Sequence, residues 1–167
     1  MAIDIGSLAI ARDGWGNIGS GYTRINLDNP ANDSGAITSI DIYALSGYNL
    51  SGCIVGTVYL LSGTTYKCRD AHEIGDVTAG SAQNFEVDLD VVEGDYIGVY
   101  FTSGYLFFSD LLAGSGYWHK IGDYIPCTDQ TFILFSGGTK GILSLYGTGA
   151  TVEVGGGANI LFIFSDF

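Results

Sequence analysis

Residues Ala82 to Val92 read AQNFEVDLDVV, in which Phe85, Val87, Leu89 and Val91 alternate with Glu86, Asp88 and Asp90. A period of two sets every apolar side chain on one face of an extended strand and every carboxylate on the other. The turn Glu93-Gly94-Asp95 follows, then Tyr96 to Thr102, where Ile97, Val99 and Phe101 oppose Tyr96 and Tyr100. A segment apolar on both faces reads as a central strand covered from both sides. The two segments are predicted to form a hairpin with a short glycine-containing loop.

The same grammar recurs along the chain. Ala36 to Leu45 is strand-like, with Ile37, Ile40, Ile42, Tyr43 and Leu45. Three more hairpins are predicted: Cys53–Leu61 with Thr65–Arg69, Thr131–Phe135 with Ile142–Tyr146, and Thr151–Val154 with Asn159–Phe164. Glycine-bearing turns separate each pair. Ser109–Gly116 and Asp28–Gly35 read as loops, and no window carries a convincing helical stripe. With 26 glycines and only 2 prolines in 167 residues, the chain has the balance of many short strands in one domain. The expected fold is all-β, an antiparallel two-sheet β-sandwich of the jelly-roll kind. Both ends, Met1–Ala11 and Asn159–Phe167, are also apolar and strand-like. Either they are interior strands, the preferred reading, or one adds to a neighbouring subunit's open edge.

Charge narrows the partners. Six Lys and Arg face 18 Asp and Glu, a net charge of -12. Such a surface repels phosphate backbones and anionic lipid, so neither nucleic acid nor a membrane is an expected partner. No apolar run is long enough to cross a bilayer as a helix, and the N-terminal sequence does not read as a secretory signal. Charged residues are 14% of the chain, against about 25% in an ordinary soluble domain. A surface poor in charge suits a homo-oligomer or lattice whose contacts cover part of it. Glycine-rich turns and a sandwich core would lower the figure as well. Cys53, Cys68 and Cys127 have no zinc-like spacing and read as free, partly buried thiols, a single disulfide being the lesser alternative.

No catalytic set emerges. His72, in the polar stretch Arg69-Asp70-Ala71-His72-Glu73, and His119, beside Tyr117-Trp118, read as surface histidines. No nucleophile elbow, Walker loop or dinucleotide fingerprint occurs. No cofactor is expected. Glu86, Asp88 and Asp90 share one strand face and could meet calcium if loop oxygens completed the shell, but a solvated acidic face is the better reading. Aromatic side chains are the remaining candidates. Tyr105, Tyr117, Trp118 and Tyr124 cluster around a loop, where flat rings can stack on a sugar or pack into a neighbouring protein. Placement of these rings in the core is the competing reading.

Five stretches carry a family resemblance: GYTRINLDNPANDSGAITSIDIYA (21–44), GCIVGTVYLLSGTTYKCRD (52–70), IGDVTAGS (74–81), VEGDYIGVYF (92–101) and SGYWHKIGDYIPC (115–127). Together they resemble β-sandwich virion structural proteins of tailed phages and environmental viruses. The resemblance implies a self-associating structural role in a virion or extracellular assembly, such as a capsid decoration, tail or fibre module. Its partners would be further copies of itself and other structural proteins, and it brings no catalytic residues. Residues 1–20 and 150–167 fall outside it and are candidate assembly arms, with Ile3, Ile5, Leu8, Ile160, Phe162 and Phe164 as contact residues. The alternative function is a carbohydrate-binding module that uses the loop aromatics.

Overall fold

The computed structural model describes residues 1–12, 16–109, 114–135 and 141–151. Fourteen strands run through them: β1 (Ala2–Ser7), β2 (Gly16–Gly19), β3 (Tyr22–Asn26), β4 (Gly35–Tyr43), β5 (Leu50–Ser62), β6 (Thr65–Val77) and β7 (Ala82–Val91) come first. They are followed by β8 (Tyr96–Tyr100), β9 (Tyr105–Ser109), β10 (Tyr117–Ile121), β11 (Gln130–Thr131), β12 (Ile133–Leu134), β13 (Ile142–Leu143) and β14 (Leu145–Ala150). The fold is an all-β, antiparallel sandwich. A four-stranded sheet runs β1-β14-β4-β7, and a seven-stranded sheet runs β11-β6-β5-β8-β3-β10-β12. A third, smaller sheet, β13-β9-β2, supplements the two that were expected.

The alternation in β7 works as its sequence demands: Val87, Leu89 and Val91 are buried while Glu86, Asp88 and Asp90 are exposed. Its partnership with β8 does not. β7 pairs with β4 in the four-stranded sheet, whereas β8 lies between β5 and β3 in the seven-stranded one. Neighbours in a sheet share its faces, so an acidic, water-facing strand and a strand apolar on both sides make poor neighbours. The turn between them is a corner linking the sheets. Gly94, at φ 89°, donates its N–H to the Ala31 carbonyl, and Ala31 donates back to the Asp95 carbonyl. The Asp95 carboxylate accepts from Val92 N–H and from the Arg69 guanidinium on β6.

Of the other predicted hairpins, β5 and β6 form one, closing through Gly63. The pairing of Thr131–Phe135 with Ile142–Tyr146 is absent, because β12 bonds to β10 while β13 and β14 join the other two sheets. The last predicted hairpin falls on 151–164, nearly all outside the described residues.

Two apolar clusters follow from this arrangement. The larger lies between the sheets and holds Ile3, Ile5, Ile37, Leu89, Val55, Ile97, Val99 and Phe101, with Ile18, Leu106 and Phe108 from the third sheet. Each fully buried aliphatic or aromatic side chain contributes about 1.5–3 kcal/mol. The smaller covers the opposite face of the seven-stranded sheet with Ile25, Val58, Tyr66, Cys68, Ile125, Cys127 and Phe132. That sheet is therefore buried on both sides, as the two apolar faces of β8 require. β1 is the edge strand of the four-stranded sheet among the described residues, paired with β14 and turning Ile3 and Ile5 inward. This corrects the assignment of Ile3 and Ile5 as assembly contacts, since both side chains are enclosed in the chain's own core. Leu8 is 56% exposed and stays available. Ile160, Phe162 and Phe164 lie outside the described residues. Among the described residues no helix is long and apolar enough to cross a membrane.

Candidate ligand-binding site

Strand register assembles the site. β10 lies antiparallel to β3 with Tyr117 opposite Asn26, His119 opposite Arg24 and Ile121 opposite Tyr22. Directly opposed residues share a face, so Tyr22, Arg24 and Asn26 stand with Tyr117, His119 and Ile121. On the other side of β3, Arg24 faces Val99 of the buried core. The row from Val99 through Arg24 to His119 thus leads outward from the core, along the inner face of the sheet, into a cavity. Its volume is about 280 Å³, and Tyr22, Arg24, Tyr117, His119 and Phe135 line it.

The walls are aromatic. Tyr117 and Phe135 stack with ring centroids 4.8 Å apart and an interplanar angle of 10°. Phe108 meets the Tyr117 ring edge-on at 5.7 Å, buttressing the pair from the third sheet. His119 stands edge-on to Tyr22 at 6.0 Å.

Arg24 sets the electrostatics. Its residue is only 6% exposed. The guanidinium carbon lies 5.1 Å from the Tyr22 ring centroid and 5.8 Å from that of Phe101. Nη1 donates a long bond of 3.5 Å to the Tyr22 carbonyl, and Nε has no hydrogen-bond partner among the described residues. No carboxylate pairs with it there; the ion pair that does form belongs to Arg69 and Asp95. Burial lowers the Arg24 pKa to about 10, with Tyr117 and Tyr22 opposing the shift, so the group stays cationic at neutral pH. Burial, and then the charge of Arg24, pull the His119 pKa below its ordinary value. Burial likewise raises that of Tyr117. A cation with unspent donors among ring faces can recognise an anion or a strongly polar acceptor.

The four aromatics singled out in the sequence do not converge. Tyr117 lines the cavity. Trp118, its neighbour in β10, points to the opposite face and packs with Tyr66 at 6.0 Å in the smaller cluster. Tyr124 packs there too, its ring 4.4 Å from the Lys120 ammonium. Tyr105, on β9, meets Tyr48 edge-on at 4.8 Å. His119 belongs to the site instead of the plain surface, and His72 lies within β6, opposite Val55, because that strand runs on past Arg69 to Val77. Tyr22, Arg24 and Phe135 are additions. A signal for the first two exists in Tyr22-Thr23-Arg24-Ile25-Asn26, whose period of two gathers one of only six cations with a tyrosine and an asparagine on a single face.

Among the described residues, no group of three His, Cys, Asp or Glu side chains is placed to hold a metal ion. Glu86, Asp88 and Asp90 are exposed along β7. No family model, curated protein or solved structure matches the chain.

Proposed function

We propose that this protein is a non-enzymatic binding module whose cavity beside β3 and β10 receives a single sugar ring. The observation that carries this reading is the aromatic-lined cleft of about 280 Å³ that Tyr22, Tyr117 and Phe135 form beside a buried cation. Its size, at the small end of the range for ligand sites, suits one ring better than an extended ligand. Tyrosine and phenylalanine faces stack on the C–H surface of a pyranose, and the polar groups beside them orient its hydroxyls. Ligand-observed NMR over a panel of monosaccharides tests the proposal. Saturation transfer should appear with the native protein and fade in Tyr22→Ala, while far-UV circular dichroism stays unchanged. Native protein that transfers to no monosaccharide would remove the sugar from the proposal.

Self-association, within a virion or extracellular assembly, is the second reading. A separate observation favours it: Ile121 and Ile133 are 71% and 67% exposed, side by side near the margin of the seven-stranded sheet. β12 is the last strand of that sheet among the described residues, and an unpaired apolar edge is a template for another chain. Light scattering coupled to size-exclusion chromatography should give an oligomer for the native chain and a monomer for Ile133→Asp. A native monomer at every concentration would discard this reading and leave the sugar-binding one standing.

A further inference from the structure

Arg24 is an expensive residue at its position. An inward-facing charge, nine-tenths buried, has lost most of its hydration, and a protein normally supplies a carboxylate in exchange. Here the exchange is incomplete. The guanidinium has two ring faces, one long bond to a carbonyl, the neighbouring Tyr117 hydroxyl, and a buried Nε without a partner among the described residues. The chain has 18 acidic residues, enough to neutralise any of its cations. It does so for Arg69, which holds Asp95 through two nitrogens. The one arginine without a carboxylate partner that also borders a cavity is therefore set apart among the described residues.

We infer that the ligand of this cavity carries a single negative charge, and that it is an acidic sugar whose carboxylate docks on Arg24. The inference rests on the sugar-binding reading and narrows it. Charge matching selects the class. Among the described residues Arg24 is the only Lys or Arg lining the cavity; Lys120 points to the other face, toward Gln130 and Tyr124. His119 adds no charge at neutral pH, because burial and Arg24 both favour its neutral form. One cation balances one anion, and the net charge of -12 opposes a dianion such as a phosphate ester. A carboxylate is planar and monoanionic, and it matches the guanidinium edge. The pyranose ring that bears it would then lie among Tyr22, Tyr117 and Phe135.

D-glucuronate and D-glucose, which differ in the carboxylate, test this by titration calorimetry and by following the His119 imidazole in NMR. Glucuronate should bind at least about tenfold more tightly than glucose, the worth of one charge-assisted hydrogen bond. It should also move the His119 titration to higher pH, since a bound anion offsets the field of Arg24. In Arg24→Gln the ratio of the two affinities should collapse toward one. Equal binding of both sugars by the native protein would overturn the acidic-sugar inference and leave the sugar-binding reading intact. A shift of His119 with acetate, without affinity for either sugar, would overturn both as stated and leave a bare anion site. Tighter binding of glucose 6-sulfate than of glucuronate would overturn the carboxylate assignment. The native-protein comparisons stand even if the Arg24 variant does not fold.

Discussion

The guanidinium of Arg24 lies over the ring of Tyr22, 5.1 Å from its centroid, and this contact takes the place of an ion pair. A cation–π contact of this kind recovers about 2 kcal/mol when desolvated, less than the several kcal/mol that burying an ion costs. The residue is thus held at the expense of stability. Arg24→Met, with similar length and no charge, should stabilise the unliganded protein by about 1 kcal/mol in urea unfolding, a gain typical of replacing a buried charge by an apolar group. A loss of stability would show that Arg24 is a structural residue.

Arg69 and Asp95 make the opposite case. Asp95 is buried at the corner between β7 and β8, and it accepts from Arg69 and from Val92 N–H. Its removal strands a backbone donor and a partly covered guanidinium. Asp95→Ala should cost about 3 kcal/mol, the lower range for breaking a buried pair, because Arg69 keeps some access to water. Arg69→Met should cost less, and a double-mutant cycle in urea should give a coupling of about 1 kcal/mol or more. Additive effects would mean that the corner is held by its backbone bonds to Ala31 alone.

The thiols of Cys68 and Cys127 approach to 2.9 Å, with Cys68 N–H bonded to the Cys127 carbonyl. The Cys68 thiol raises its own pKa by donating to Cys127 and lowers that of Cys127. Cys53 has no neighbouring thiol among the described residues, and burial pushes its pKa up to about 12. A mild oxidant such as diamide should therefore take two hydrogens from the native protein, joining Cys68 to Cys127 and leaving Cys53 reduced, as peptide mass spectrometry would record. The closed loop spans 59 residues, worth about 4 kcal/mol in the chain-entropy treatment. The oxidised form should unfold at higher urea; a cross-link involving Cys53 would contradict this geometry.

His119 gives the cavity a pH signature. Arg24 and Tyr22 face it from β3, Tyr117 from its own strand and Phe135 from the segment after β12. Its folded pKa is depressed below 6.5 by burial and then by Arg24. Below pH 6.5 the unfolded chain therefore takes up a proton more readily than the folded one. The stability this gives is complete above pH 6.5 and is lost as pH falls through the folded pKa. His119→Gln should flatten that part of the curve in urea unfolding measured between pH 5 and pH 7. An unchanged slope would place the imidazole in water.

How much of this was legible in the sequence depends on the number of chain segments each feature needs. β7 needs only itself, and its alternation gives strand, face and burial together. Its separation from β8 was also encoded, since an acidic face and a doubly apolar strand suit different sheets, but adjacency and a glycine turn pointed to a hairpin. The site needs β3, β10 and Phe135, three segments brought together by register. Tyr117 and Trp118 are consecutive, so a strand must send them to opposite faces, and this alone argued against placing them in one pocket. Arg24 carried no local mark beyond sharing its face with Tyr22 and Asn26, because its meaning lies in having no carboxylate partner among the described residues.

The two sides of the cavity are held with unequal firmness. β3 is bonded along both edges, with Arg24 opposite Val99 on one side and His119 on the other. Phe135 follows β12, which is fastened to β10 through two residue pairs and by the bond from Phe135 N–H to the Tyr117 carbonyl. The cation is thus held along the full length of its strand, while the ring across from it is held by the short β12 pairing, one backbone bond and its stack on Tyr117. On the reading proposed above, such a site would fix its guest's charge through Arg24 and its guest's girth through the stacked Tyr117 and Phe135. A set of ligands sharing one anionic group on a single ring is what it would select.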